Sequence, residues 1–161
     1  MTLFLALFLA TAFPPNSQTS SQTSWMRPDA FRLTIGMDRL EAVRALRAGG
    51  MKVRSGKDPN QVFADYADDK ALTLDFRDDR LVSVRFELFT MLPLIRKAFD
   101  QVRADLQKER GDPKKLSSKS IIVYDNALPN VIAVVSDNPT SENGKKWVGV
   151  LAVRYFDPRT K

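Results

Sequence analysis

The stretch spanning residues 71–88, ALTLDFRDDRLVSVRFEL, constrains the fold more than any other part of the chain. Apolar and polar residues alternate along both of its arms, the period of a strand with one buried face. Leu72, Leu74 and Phe76 share one side of the first arm; Val82, Val84, Phe86 and Leu88 share one side of the second. Asp78-Asp79 interrupts the pattern between them, so the arms read as an antiparallel hairpin. Parity then sets the loop length, because a one-residue slip in register moves every side chain to the other face. A two-residue loop, Asp78-Asp79, would set Phe76 opposite Leu81 and Val82 opposite Asp75. A three-residue loop, Asp78-Asp79-Arg80, pairs Phe76 with Val82, Leu74 with Val84 and Leu72 with Phe86, and this is the expected register. The other face then carries Thr73, Asp75, Arg77, Ser83, Arg85 and Glu87.

A hairpin with one apolar face needs something to pack on it, and two stretches have helical periodicity. The first, within TIGMDRLEAVRALRAGG at residues 34–50, starts near Asp38, which can cap the free amides of the first turn with Glu41 three residues on. Leu40, Val43 and Leu46 supply its apolar stripe, with Met37 ahead, and Gly49-Gly50 ends it. The second spans residues 92–110, with Leu92, Ile95, Phe99, Val102 and Leu106 on one side. Pro93 sits in its first turn, where a missing N–H costs nothing, and Gly111 and Pro113 stop it.

Short strand-like stretches follow each helix: MKVRS, QVFADY and the hairpin after the first, then SIIVYD, NVIAVVSD and WVGVLAVRYF after the second. The last is apolar on both faces, as a central strand is. Residues 137–146, DNPTSENGKK, read as a long polar hairpin loop. The two helices also share a local V-R-A-(x)-L sequence followed by glycine and a basic strand start. The expected fold is therefore α+β: a tandem helix-plus-antiparallel-strands repeat, with two helices on one face of an antiparallel sheet. Residues 28–158 form one globular domain of two αβββ-like halves, 33–90 and 91–158.

The chain opens differently. Residues 3–13 are an apolar run too short to span a bilayer as a helix, and Ala10-Thr11-Ala12 offers a small-x-small cleavage pattern. Residues 1–12 thus read as a signal peptide, although no Lys or Arg precedes the run. Residues 13–27 are Pro- and Ser/Thr-rich and read as a flexible tether. An exported protein, periplasmic or extracellular, is expected, with no transmembrane segment in the mature chain.

The 161 residues include neither Cys nor His. Thiol nucleophiles, disulfides, Cys/His zinc sites and triads built on His are excluded. The remaining enzymatic options are carboxylate pairs, a Lys or Ser nucleophile, or an oxygen-ligand metal site. Asp68-Asp69 and Asp78-Asp79 are the densest carboxylates, but both fall where turns are expected, and Asp favours turns by bonding its own backbone. No Asp-x-Asp-x-Asp-Gly loop, phosphate-binding glycine loop or nucleophile elbow occurs. No catalytic residue, metal ligand or cofactor is assigned.

Two groups of basic residues remain. Arg77, Arg85 and Arg154 fall on strands, on the face away from the main core. Either Arg77 or Arg85 pairs across strands with Asp75 or Glu87, or the three arginines are contacts for a protein partner. Lys114, Lys115 and Lys119 follow the second helix, with Lys108 and Arg110 beside them. They either complement the helix C-terminus or hold a polyanion. The net charge of +6 favours the second half: residues 1–90 carry 12 Lys/Arg against 11 Asp/Glu, and residues 91–161 carry 13 against 8.

Gly36-Met37 followed by Val43, Leu46 and Gly49 makes a G-M-x(5)-V-x(2)-L-x(2)-G opening, and the 72–88 hairpin closes the unit. In that layout the chain resembles the β-lactamase-inhibitor-protein-like superfamily, which includes small outer-membrane lipoproteins of the SmpA/OmlA type. The second unit keeps a glycine-proline helix stop, RGDP, but lacks the Gly-Met opening, and no Cys is present for a disulfide or a lipid anchor. The resemblance implies a non-catalytic exported or envelope-structural module that binds a protein partner through its open sheet face and loops. Binding of an acidic lipid, polysaccharide or nucleic acid is the alternative, and a carboxylate-based enzyme the third.

Overall fold

The computed structural model describes residues 23–117, 120–138 and 148–160. The expected signal peptide, most of the expected tether, Lys119 and most of the expected polar loop lie outside the described residues. Helix α1 (Arg39–Ala48) leads into β1 (Lys52–Ser55), β2 (Gln61–Ala67), β3 (Lys70–Arg77) and β4 (Arg80–Met91). Helix α2 (Leu92–Arg110) leads into β5 (Lys115–Ser117), β6 (Ile121–Tyr124), β7 (Asn130–Asn138) and β8 (Val148–Phe156). All pairs are antiparallel, and the sheet order is β1-β2-β3-β4-β8-β7-β6-β5. The fold is α+β. Each group of four strands folds back and forth from one sheet edge towards the centre, and the groups meet where β4 pairs with β8. The final strand is central, as its two apolar faces require. Each helix is followed by four strands rather than three. The extra one, β5, is only three residues long, too short to show a period.

One core fills the side of the sheet on which both helices pack. Alternate strand residues, Leu72, Leu74, Val84, Phe86, Leu151 and Val153 among them, are fully buried there with Leu46 of α1 and Ile95 of α2. Phe86 lies at its centre, edge-on to Trp25 (6.0 Å) and Tyr155 (6.0 Å) and stacked on Phe31 (6.2 Å). Trp25 and Met26 are 7% and 1% exposed and Thr23 is buried, so the folded region includes the end of the expected tether and does not start at residue 28.

Helix α1 is capped as expected: the Asp38 carboxylate accepts the Leu40 N–H at 2.8 Å. Its buried face is not the expected one. Leu40 is 67% exposed, whereas Ala42 and Leu46 are fully buried and Val43 and Ala45 pack at the margin. The small Ala42 lets the helix approach the sheet, and the Arg39 guanidinium covers the Phe76 ring at 4.7 Å. Helix α2 buries Ile95, Phe99, Val102 and Leu106, with Leu92 partly buried beside them. At its C-terminus Asn126 Nδ2 donates to the Arg110 carbonyl (2.7 Å).

The tip of the β3–β4 hairpin departs from the expected three-residue loop. Leu72 does pair with Phe86 and Leu74 with Val84, but Phe76 pairs with Leu81 and Arg77 with Arg80. Asp78 and Asp79 form a two-residue turn, both in the left-handed region (φ 48° and 57°), the type I′ geometry whose twist suits a hairpin. The register shifts between Asp75 and Phe76, leaving Val82 as a bulged residue with no opposite number on β3. The bulge restores parity, so Leu81 and Val84 both face the core while Val82 is only partly buried. Asp157 N–H donates to the freed Val82 carbonyl at 3.1 Å. The tip docks on α1: Arg39 N–H donates to the Asp79 carbonyl (2.9 Å), and Arg39 Nε pairs with the Asp79 carboxylate (2.9 Å).

Candidate functional site

The helices occupy one face of the sheet; the strands' alternate residues make up the other. Antiparallel register aligns these residues into rows that cross the strands. One row runs Phe63, Thr73, Arg85, Arg154, Ile132, Val123, each opposite the next on the neighbouring strand. The next row runs Ala71, Glu87, Ala152, Val134, Ile121. Apart from Phe63 and Ala71, the residues of these rows on β2 to β4 are polar or charged; apart from Arg154, those on β6 to β8 are aliphatic.

Arg85 and Arg154 sit directly opposite each other on that pair, with side chains 42% and 50% exposed. Like charges in opposed positions repel, so the arrangement costs stability unless counter-charges are near. Arg154 is well held. Its Nε donates to Ser83 Oγ at 2.7 Å, its Nη2 reaches Asp75 Oδ2 at 3.5 Å, and its guanidinium lies 5.4 Å from the Phe156 ring centre. Gln61 Nε2 donates to the other oxygen of Asp75 at 2.9 Å. Ser83, 1% exposed, is thus satisfied beneath the longer side chains. Among the described residues, Arg85 meets its counter-charge on its own strand, Glu87 at 3.8 Å.

Arg77 ends β3 opposite Arg80 and does not join the Arg85–Arg154 pair. It lines an open groove of about 330 Å³ with Asn60, Gln61, Asp75, Val82 and Thr160. The partner of Asp75 is Arg154, reaching over β4 from β8, where Arg77 or Arg85 was expected; Arg85 does meet Glu87, but along its own strand rather than across strands.

Two of the basic residues around the end of α2, Arg110 and Lys114, are engaged within the fold. Lys114 forms an ion pair with Asp125, and Arg110 Nη1 donates to the carbonyls of Ala127 (3.0 Å) and Pro129 (2.9 Å). Lys115 lies on the edge strand β5 opposite Val123. Asp68-Asp69 and Asp78-Asp79 both lie in the turns between paired strands. Among the described residues no three acidic side chains converge as a metal site requires. The strongest shifts in acidity also reflect structure: burial pushes the Tyr155 phenol up to about 12, and Arg159 holds Asp157 down at about 2.

Sequence reasoning placed Arg85, Arg154 and Asp75 on the right face but missed Ser83 and Gln61 as their anchors and Ile132, Val134 and Ala152 as their aliphatic neighbours. The alternation within NVIAVVSD and GVLAVRYF was the available signal for the neighbours. No family model matches the chain, and comparison with curated proteins and with solved structures gives no significant match.

Proposed function

We propose that the protein is a non-catalytic, exported binding module that recognises a protein partner through the sheet face opposite its helices. The observation that carries this reading is the opposed Arg85–Arg154 pair beside an aliphatic strip on that face. Each arginine keeps a counter-charge on the fold, Asp75 or Glu87, yet stays about half exposed and so offers positive charge to a complementary surface. The half-buried Ile132, Val134 and Ala152 provide the apolar contact that protein interfaces use beside such charges. Export is supported by the apolar run at 3–13 with its Ala10-Thr11-Ala12 pattern, not by the fold.

The same reading treats the domain as a tandem repeat. Its support is the element order, a helix then four strands, twice, and the sheet order that runs inward from each edge to β4–β8. The shared V-R-A-(x)-L helix sequence points the same way. Polyanion binding ranks below protein binding because Lys114 and Arg110 already serve partners within the fold.

The test is capture from an envelope extract by the immobilised full chain at low and high salt. One stoichiometric protein should survive high salt and be lost when Val134→Arg and Ala152→Arg obstruct the face. Capture unchanged by that variant refutes the choice of face. Anionic polymers released by salt, with loss following removal of Lys114, Lys115 and Lys119, would establish the polyanion reading instead.

A further inference from the structure

The open face carries a continuous aliphatic strip. Over β6, β7 and β8 its partly buried residues include Ile121, Val123, Ile132, Val134, Val150 and Ala152. Phe89, 37% exposed, continues the strip onto β4 opposite Val150. Arg154, also on β8, turns away from Ala152 towards Ser83, Asp75 and the Phe156 ring, so its charge does not cover the strip.

Beside the strip, β4 carries charges of both signs. Arg85 lies 3.8 Å from Glu87, two residues further along, and their side chains are 42% and 23% exposed. Residues two apart on a strand set successive rows of the face about 6.7 Å apart. A second copy can be turned by 180° about an axis that crosses the strands between the row of Arg85 and the row of Glu87. That turn exchanges the two rows and leaves each strand facing itself. Arg85 then meets Glu87 of the second copy, and Glu87 meets Arg85. On β7 Ile132 meets Val134, and on β6 Val123 meets Ile121. Acid faces base and aliphatic faces aliphatic, the self-complementarity that an isologous contact requires. Sheets stacked face to face are ordinarily turned by about 30°. On the edge strand β1, where Lys52 and Arg54 would meet like charges, that turn carries the two copies apart.

The area is sufficient. At about 3.3 Å per residue and about 4.8 Å per strand, β2 to β4 and β6 to β8 cover about 750 Å². A standard interface takes about 800 Å² from each partner.

We infer that the partner of this face is a second copy of the chain, the two sheets packed face to face with Arg85 and Glu87 exchanged across a twofold axis. This rests on the open face being the contact surface. The test is sedimentation velocity of the full chain between about 1 and 100 μM, the weak end of affinities for interfaces of this size. The wild type should sediment as a dimer and Val134→Arg/Ala152→Arg as a monomer. Glu87→Arg and Arg85→Glu, each alone, set like charges across the axis and should weaken the dimer by about tenfold or more. An equimolar mixture of these two variants should restore it, because each supplies the charge the other lacks. Arg85→Glu/Glu87→Arg should restore it within one chain. Circular dichroism checks that each variant is folded. A wild type that stays monomeric, single variants as dimeric as the wild type, or no recovery on mixing would overturn the inference. A dimer that persists in Val134→Arg/Ala152→Arg is held elsewhere, as by the apolar run at 3–13, and overturns it too. The capture experiment separates the two levels, since this inference requires the retained protein to be the chain itself. A monomeric chain that captures a different protein, lost with Val134→Arg/Ala152→Arg, keeps the face and removes the second copy; capture unchanged by that variant removes the face.

Discussion

Replacing Trp25 by Ala tests where the domain begins. Trp25 is 7% exposed, stacked on Tyr66 at 5.8 Å and edge-on to Phe86 at 6.0 Å, and the Lys70 ammonium lies 5.8 Å from its ring centre. A tryptophan side chain buries about 200 Å². At about 25 cal/mol per Å² that is about 5 kcal/mol, an upper value because unfolded chains already bury part of this surface. Measured truncations of buried aromatics, about 3–5 kcal/mol, bracket the same range. With a urea dependence of about 2 kcal/mol per M for a domain of this size, the unfolding midpoint should fall by about 2 M. Far-UV circular dichroism is the appropriate probe, since the substitution removes one of the two tryptophans. Trp25→Phe should recover most of the loss. A midpoint unchanged within about 0.3 M would mean that residues 23–27 are a tether after all. Because Trp25 packs with Phe86 on the helix side, the opposite sheet face of the folded fraction should be unaffected.

The hairpin tip gives a paired test. Asp79→Gly should leave stability unchanged or raise it by up to about 1 kcal/mol, since glycine adopts the left-handed region freely and the exposed Arg39–Asp79 ion pair contributes little. Arg80→Gly, within the strand, should lower stability by about 0.5–1 kcal/mol; the reverse order in urea unfolding would favour a three-residue loop. Gly149→Val should destabilise by about 1–3 kcal/mol in thermal melts, because a Cβ there would lie 3.1 Å from Ile95 Cγ1 and 3.3 Å from Leu92 Cδ1, forcing α2 off the sheet. Asp157 is held at about 2, first by the Arg159 side-chain hydrogen bond and then by the Arg159 N–H, below its ordinary 3.8. A depressed acid contributes stability that is complete above its unfolded value and lost as pH falls through about 2. Carboxyl-carbon NMR should follow that titration, and Arg159→Ala should return it towards 3.8.

The alternation of residues 71–88 was sufficient for the inner hairpin pairs because parity there depends only on local pattern. It failed at the tip for a definite reason. A three-residue loop, and a two-residue loop with one bulged residue, both displace the second arm by one position. They bury nearly the same side chains, and only backbone geometry distinguishes them. The α1 face was misread because periodicity weighs large apolar residues, whereas contact with the sheet favoured the small Ala42 and let Arg39 shield Phe76. Trp25-Met26 marks the return of apolar residues after a polar stretch, but two residues have no period, so the end of the tether was drawn past them. Docking of Trp25 onto Tyr66 and Phe86 is a tertiary event that fixes it.

The candidate site was legible in part for the same reason. Alternation assigned Arg85 and Arg154 to one face, but their opposition depends on register between strands from different halves of the chain. That register is set by the core side. Val84 faces Tyr155, Phe86 faces Val153 and Leu88 faces Leu151 across the β4–β8 pair, all buried. A slip of two residues would keep the apolar faces aligned yet place Arg85 opposite Ala152 or Phe156 instead of Arg154. The Phe86–Tyr155 edge contact and the close fit of Gly149 beneath Ile95 hold the observed alignment. The two arginines are thus brought together only when the two groups of strands dock in one register. A substitution in the core beneath the sheet, such as Gly149→Val, should therefore disturb the alignment of the open face even though it touches no residue there.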